Sequence, residues 1–240
     1  MSSIKAITFD LDHTLWDTTE TIIKAEAILY QWLSDNAPKV TAKFSSEDLI
    51  AQRRMLLVSR PELAHQVSAL RKISLFNTFF SVGYSQPDAE ELTGKAFEIF
   101  YLARQKVTPF SDVVPTLEKL KQRFLLGSIT NGNANLEIIG LSKYFAFSLS
   151  AEISGANKPS IVIYQQALQL AGCRQDEIIH VGDHPSDDIF GAKECGFHTI
   201  WVNYFNSTWQ EDYVPSAEIN SFKDILTAID RIEAGIRSQY

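Results

Sequence analysis

Ile4-Lys5-Ala6-Ile7-Thr8-Phe9-Asp10-Leu11-Asp12-His13-Thr14-Leu15 runs without interruption from a β-branched and aromatic segment into a pair of carboxylates. The first six residues predict a short strand whose carboxyl end delivers Asp10 and Asp12. The rhythm then changes. Ile22, Ile23, Ala25, Ile28, Leu29, Trp32 and Leu33 recur at helical spacing. Further helical stretches follow over 46–58, 61–80 and 87–105, punctuated by Pro38, Pro61 and the 83–87 segment. After Pro109 strands and helices alternate. Helices are predicted over 112–123, 134–141, 160–171, 186–195 and 221–234, and strands over 124–129, 145–149, 177–181 and 198–202. Ser160 is placed to cap its helix and Gly172 to stop it. Short apolar strands alternating with helices predict a Rossmann-like, doubly wound parallel sheet covered on both faces. The reading is a discontinuous α/β core, 1–16 plus 108–240, interrupted by an all-helical insert, 17–107.

Charge divides unevenly between these parts. The chain carries a net charge of −7. The helical insert holds 11 acidic and 11 basic residues, which leaves 18 acids against 11 bases in the core. An acidic core without a basic stripe argues against nucleic-acid binding and suggests a cation site. No charge-free run reaches the ~18–20 residues of a membrane span, and the opening residues 1–7 lack the long apolar run of a signal peptide. Cys173 and Cys195 form no metal-type pattern and read as reduced thiols of a cytoplasmic protein, monomer or homodimer.

In an open parallel sheet, ligands sit outside the carboxyl ends of the strands. Four such ends carry chemistry. Asp10 and Asp12 stand two residues apart, and like charges that close need a cation or a division of labour. Thr130-Asn131-Gly132-Asn133 ends a strand with a hydroxyl and an amide, either a phosphate cradle or an Asn-Gly turn with Asn133 as helix cap. Lys158 precedes a helix and offers a point charge to an anion. Gly182-Asp183-His184-Pro185-Ser186-Asp187-Asp188 sets three carboxylates around a loop. Asp183, at the strand end itself, is the better metal ligand; Asp187 and Asp188 also suit the dipole of the following helix.

Together, in this order, the four segments resemble the haloacid dehalogenase-like hydrolase superfamily. Its motifs read Asp-x-Asp-x-Thr, Ser/Thr, Lys, and Gly-Asp followed three to four residues later by Asp. The insert is similar to the helical cap of the superfamily's C1-type members. Thr130-Asn131-Gly132-Asn133-Ala134-Asn135 and Gly140-Leu141-Ser142-Lys143-Tyr144-Phe145 look like bacterial flavin-mononucleotide (FMN) phosphatases, and the 9–16 segment also resembles some pyrimidine nucleotidases.

The resemblance implies a phosphatase acting on a small phosphorylated metabolite. Asp10 is then the nucleophile and Asp12 the general acid and base. Mg2+ is implied as cofactor, held by Asp10, the backbone carbonyl of Asp12, and Asp183. Thr130 and the amides near Asn131 hold the phosphoryl oxygens, and Lys158 neutralises charge. Asp188, or alternatively Asp187, supports Lys158 and the metal's waters, with the continuation Ile189-Phe190-Gly191-Ala192 favouring Asp188. His13 stands where the family more often has Asp or Gly, and either tunes Asp12 or lies at the surface. In the cap, Arg53, Arg54, Arg71 and Lys72 meet an anionic substrate or are solvated. Tyr30, Trp32, Phe76, Phe79 and Phe80 stack on a planar ring or form the cap's own core. Competing readings are a 2-haloacid dehalogenase, which lacks a carboxylate two residues after its nucleophile, a sugar phosphomutase, and a non-catalytic binding protein of the same fold.

Overall fold

The structure is a computed structural model and describes residues 4–238; Met1 to Ser3, part of the opening segment read above, lie outside it. The chain forms two compact units, one of residues up to Asp17 together with those from Thr108 onward, the other Thr18–Val107.

The first unit is built on a six-stranded sheet: β1 (Ala6–Phe9), β2 (Leu125–Thr130), β3 (Phe147–Ser150), β4 (Ile178–Gly182), β5 (His198–Val202) and β6 (Ala217–Ile219). Every pairing is parallel and the order is β3-β2-β1-β4-β5-β6. β1 and β4 are buried at every residue, which explains why they read as continuous apolar runs rather than alternating ones. The register pairs Phe9 with Ser128 on one side and with Val181 on the other. Asp10, Thr130 and Asp183 therefore emerge at one edge of the sheet. The chain winds outward from β1 in both directions, so the switch point lies between β1 and β4, where such folds place ligands.

In the second unit, α1 (Thr19–Asn36), α2 (Pro38–Thr41), α3 (Ser46–Ser59), α4 (Val67–Ser81) and α5 (Gln86–Arg104) enclose a separate core of Ala25, Leu29, Leu33, Leu75, Phe79, Ala96 and Phe100. A reciprocal Ser45–Asp48 capping box fixes the start of α3. The single helix expected over 61–80 is divided. A 3-10 turn, Pro61–His65, precedes α4, and Gln66 at φ −127° breaks the helical path.

Flanking the sheet are α6 (Val113–Leu120), α7 (Leu136–Ile139), α8 (Ala151–Ser154), α9 (Ile161–Ala171), α10 (Gly191–Glu194) and α11 (Ile225–Ser238). Ser160 caps α9 and Gly172 ends it in the left-handed region, as the sequence predicts. The last helix is displaced, 225–238 in place of 221–234, and others contract. α7 starts two residues late because Asn135, not Asn133, caps it, and Gly140 at φ 85° ends it early. The helix expected over 186–195 opens instead as a π-helical turn, Pro185–Phe190, a local widening common at functional sites. β6 was not anticipated; three residues carry too little pattern to read. Cys173 and Cys195 are free thiols, and among the described residues no helix is long and apolar enough to cross a membrane.

Candidate active site

Asp10 leaves β1 with its N–H donating to Val181 O at 2.9 Å, which ties it to the neighbouring strand. The chain then turns tightly: Leu15 N donates to Leu11 O (2.9 Å) and His13 N to Trp16 O (2.8 Å). The turn holds His13 at φ 64°. Gly tolerates that region freely and Asn, Asp and His better than most. The His13 ring lies 3.5 Å from Asp17, both half exposed. Asp12 accepts from Trp16 Nε1 at 2.8 Å.

Lys158 is almost fully buried, and its Nζ donates to Asp10 Oδ1 (2.6 Å) and Asp188 Oδ1 (2.5 Å). Asn131 clamps the Lys158 peptide from both sides, accepting from its N–H at 2.8 Å and donating to its carbonyl at 3.1 Å. The Asn131 side chain is therefore occupied with Lys158, and with Asp187 Oδ2 at 3.1 Å. Thr130 Oγ1 accepts from Gly132 N, closing the turn that follows β2.

The two acids of the fourth segment separate clearly. Asp188 is buried and accepts from Lys158 Nζ, His180 Nε2 (3.1 Å) and His184 N (2.9 Å). Asp187 is half-buried and accepts from Asn131. Asp188 reaches Lys158 because the π-helical turn folds it back over Gly182. A Cβ on Gly182 would lie 2.2 Å from Asp188 Cγ, so only glycine fits there.

Four residues that the sequence reading did not single out join the site. Thr14 Oγ1 lies 3.2 Å from Asp183 Oδ1 and 3.4 Å from Asp10 Oδ2 and has one proton to share between them. Tyr204 donates its hydroxyl to Thr14 O at 2.9 Å, and Trp201 Nε1 donates to Asp183 O at 2.8 Å. His180 underlies Asp188. Only Thr14 had a sequence signal, as the last position of the first motif; the others lie in strands or loops that look structural.

Carboxylate oxygens of Asp10, Asp183 and Asp188 all lie within 4.8 Å of one another. Asp12, expected to contribute through its backbone carbonyl, is not part of this carboxylate group. Burial, with Asp188 and Asp183 nearby, pushes Asp10 well above the usual carboxylate range despite Lys158. Burial likewise raises Asp183 and Asp187. Burial also opposes the charge of Asp188, but Lys158 and the His180 hydrogen bond outweigh it and hold that pKa far below normal. Lys158 loses to burial and gains more from Asp10 and Asp188, so it stays protonated. One lysine faces three carboxyl groups, and that donor set of hard oxygens fits a divalent cation.

A parallel sheet whose first strand ends in a lysine-held aspartate, with an acidic loop beside it, defines an α/β enzyme organised around a carboxylate. Residues 4–196 match the haloacid dehalogenase-like hydrolase family, and this chain belongs to it. It is 30% identical over 233 residues to the 5-amino-6-(5-phospho-D-ribitylamino)uracil phosphatase YigB of Escherichia coli (strain K12), covering 95% of this chain and 98% of that one. It is 27% identical to the pyrimidine 5'-nucleotidase PynA of Streptococcus pneumoniae, with 95% of each covered. A solved structure described as a 2-haloacid dehalogenase from Pseudomonas syringae pv. Tomato DC3000 is 43% identical, with a TM-score of 0.91, 95% of this chain and 99% of that chain covered.

Proposed function

We propose that this chain is a Mg2+-dependent phosphomonoesterase that hydrolyses a small phosphorylated metabolite through an aspartyl-phosphate. The observation that carries the reading is the buried Asp10 beside Asp183 and Asp188 with a single lysine. Such a carboxylate becomes a charged nucleophile at neutral pH when a cation joins it. Asp10 and Asp183, with the carbonyl of Asp12, would hold Mg2+, which supplies the charge that lets a carboxylate approach a phosphate dianion.

Asp10 attacks phosphorus, forming an O–P bond as the ester P–O bond breaks. Asp12, two residues on and outside the acidic cluster, gives its proton to the departing alkoxide. A water then attacks phosphorus, Asp12 takes its proton, and inorganic phosphate leaves Asp10 as a free carboxylate. Thr130 and the amides after it bind phosphoryl oxygens. Lys158 neutralises Asp10 and the phosphoryl group, and Asp188 holds Lys158 in place.

The substrate reading is FMN or a related nucleotide or riboflavin-pathway phosphate. It is supported by the likeness to YigB and PynA. A Mg2+-dependent screen of phosphate release across flavin, nucleotide and sugar phosphates tests both parts. FMN is expected ahead of simple sugar phosphates in kcat/KM. A sugar phosphate preferred tenfold, about 1.4 kcal/mol in transition-state binding, overturns the substrate reading and leaves the phosphatase intact.

The 43% identical structure described as a dehalogenase favours a second reading, halide displacement by Asp10. That chemistry needs neither a leaving-group acid nor a metal. Asp12 counts against it. Chloride release from 2-chloropropionate in excess chelator, with no phosphate release in Mg2+, would establish it instead.

A further inference from the structure

His180 is fully buried in the middle of β4, paired across the sheet with Thr8 of β1 and Thr199 of β5. Buried parallel strands favour apolar β-branched residues, and a polar group placed there is costly unless it is hydrogen-bonded. Three adjacent polar positions across the interior of this sheet therefore need a reason. Thr199 bonds locally, exchanging hydrogen bonds with the Ser216 backbone N–H and hydroxyl. Thr8 and His180 bond to each other: Thr8 Oγ1 is 2.9 Å from His180 Nδ1. The other ring nitrogen, Nε2, is 3.1 Å from Asp188 Oδ1, the same oxygen that receives Lys158 Nζ.

We infer that His180 is a positioning residue of the active site: with Thr8 it forms a buried hydrogen-bonded prop that fixes Asp188, and through Asp188 it aims Lys158 at Asp10. The proton assignment follows from the partners. An ionised Asp188 can only accept, so the proton sits on Nε2 and Nδ1 accepts from the Thr8 hydroxyl. The alternative partner of that hydroxyl, Ile179 O, is farther, at 3.5 Å. Asp188 is then held by three donors from three directions, Lys158, His180 and the His184 N–H. Two of the three persist whatever Lys158 does. When Asp10 loses its charge on bonding to phosphorus, Lys158 keeps a fixed anchor, and the site does not reorganise between the two halves of the reaction. The ring itself is walled in by Tyr164, edge-on at 5.3 Å. Tyr164 in turn donates to Asp187 O, so the turn carrying both acids is braced at two points.

The sequence logic is compact. Residues 180 and 182 point to the same face of the strand. Gly182 leaves the space that Asp188 crosses, and His180 supplies the donor that Asp188 meets there.

This inference rests on the phosphatase reading for its kinetic arm, and its structural arm is independent of it. The test uses the full chain with para-nitrophenyl phosphate and Mg2+. His180→Leu is expected to lower kcat about ten- to a hundredfold, the usual range for groups that orient metal-site ligands, with KM changed less than about threefold. His180→Gln, whose amide carries an N–H to nearly the same place, is expected to recover most of that loss. Thr8→Val is expected to lower kcat in the same sense by less, and it carries the kinetic test if His180→Leu does not fold. Nitrogen-15 spectra of the imidazole in the wild-type protein should show the proton on Nε2, and calorimetry with Mg2+ alone should show weaker binding by His180→Leu. Leu and Gln variants equally impaired at wild-type melting temperature, a Leu variant within twofold of wild type, or a ring protonated on Nδ1 alone would overturn the inference. A wild-type protein without phosphatase activity would overturn the phosphatase reading alone, because the spectra and the Mg2+ titration still decide the role of His180.

Discussion

Each unit of this protein buries a cluster of charges, and the two clusters are opposites. In the α/β unit a lysine, Lys158, lies between two carboxylates, Asp10 and Asp188. In the helical unit a carboxylate, Glu26, lies between two guanidinium groups: Arg53 at 2.7 Å and Arg71, which donates through both Nη atoms at 2.9 and 3.2 Å. Burial alone pushes both Glu26 and Asp10 upward in pKa. Glu26 nevertheless ends below its ordinary value, because the hydrogen bonds and charges of two arginines outweigh burial. Asp10 ends well above, because it shares one cation with Asp188 and also faces Asp183. Burial is common to both; the count of partners decides the sign. Arg71, drawn down to about 10 by burial, also lies 3.2 Å over the Phe100 ring. The α/β cluster is left with negative charge to spare, and that surplus is where chemistry is expected.

The largest effect is expected at Asp10. Asp10→Asn should reduce turnover at least about a thousandfold, since an amide is a poor nucleophile and a poor cation ligand. The melting temperature should hold or rise, because a strained charge is removed. Retained activity within a few-fold of wild type would remove Asp10 from the reaction. Lys158→Met comes next, with an expected loss of about a hundredfold in kcat and weaker stability, because it leaves Asp10 and Asp188 facing each other. Excess chelator should abolish phosphate release and added Mg2+ restore it.

In the helical unit the effect falls on stability. Glu26→Gln leaves two arginines buried without their anion, and breaking a buried ion pair costs about 3–5 kcal/mol. Denaturant unfolding of the wild type and the variant measures it. A group whose folded pKa is depressed stabilises above its unfolded pKa, 4.5 for Glu26, and that contribution is lost as pH falls through the folded value. The difference between the two proteins should therefore be full at pH 6–7 and shrink below about pH 4.5. A gap that stays constant down to pH 3 would show that Glu26 acts through packing. The smallest effect is expected at Phe80, exposed and stacked on Phe76: Phe80→Ser should alter stability by less than about 0.5 kcal/mol.

The same contrast explains what could be read from the sequence. Strands buried on both faces leave apolar runs, so β1, β2 and β4 were legible, and so was the edge at which Asp10, Thr130, Lys158 and Asp183 emerge. Short elements bounded by backbone geometry were not. The cap at Asn135, the break at Gln66 and the π-helical turn at 185–190 depend on local hydrogen bonds that many sequences could form. Long-range pairing was not legible either. Arg53 and Arg71 read as bases that meet an anionic substrate or are solvated, because Glu26 lies 27 and 45 positions away. Of the cap aromatics, Phe79 is fully buried and Trp32 and Phe76 pack on the same core, whereas Phe80 is exposed. His180 was passed over as one residue of a strand, because its partner Thr8 meets it only through the β1–β4 register.

The central claim is that Asp10 attacks phosphorus and is released by water attacking that same phosphorus. A single turnover in water enriched in oxygen-18, with enzyme in excess over FMN and Mg2+ present, tests it directly. Mass spectrometry of the released phosphate and of the peptide containing Asp10 then locates the label. One oxygen-18 is expected in the phosphate and none in Asp10. Label in the Asp10 carboxylate would mean that water attacked an ester carbon there, as halide displacement requires, and would contradict it.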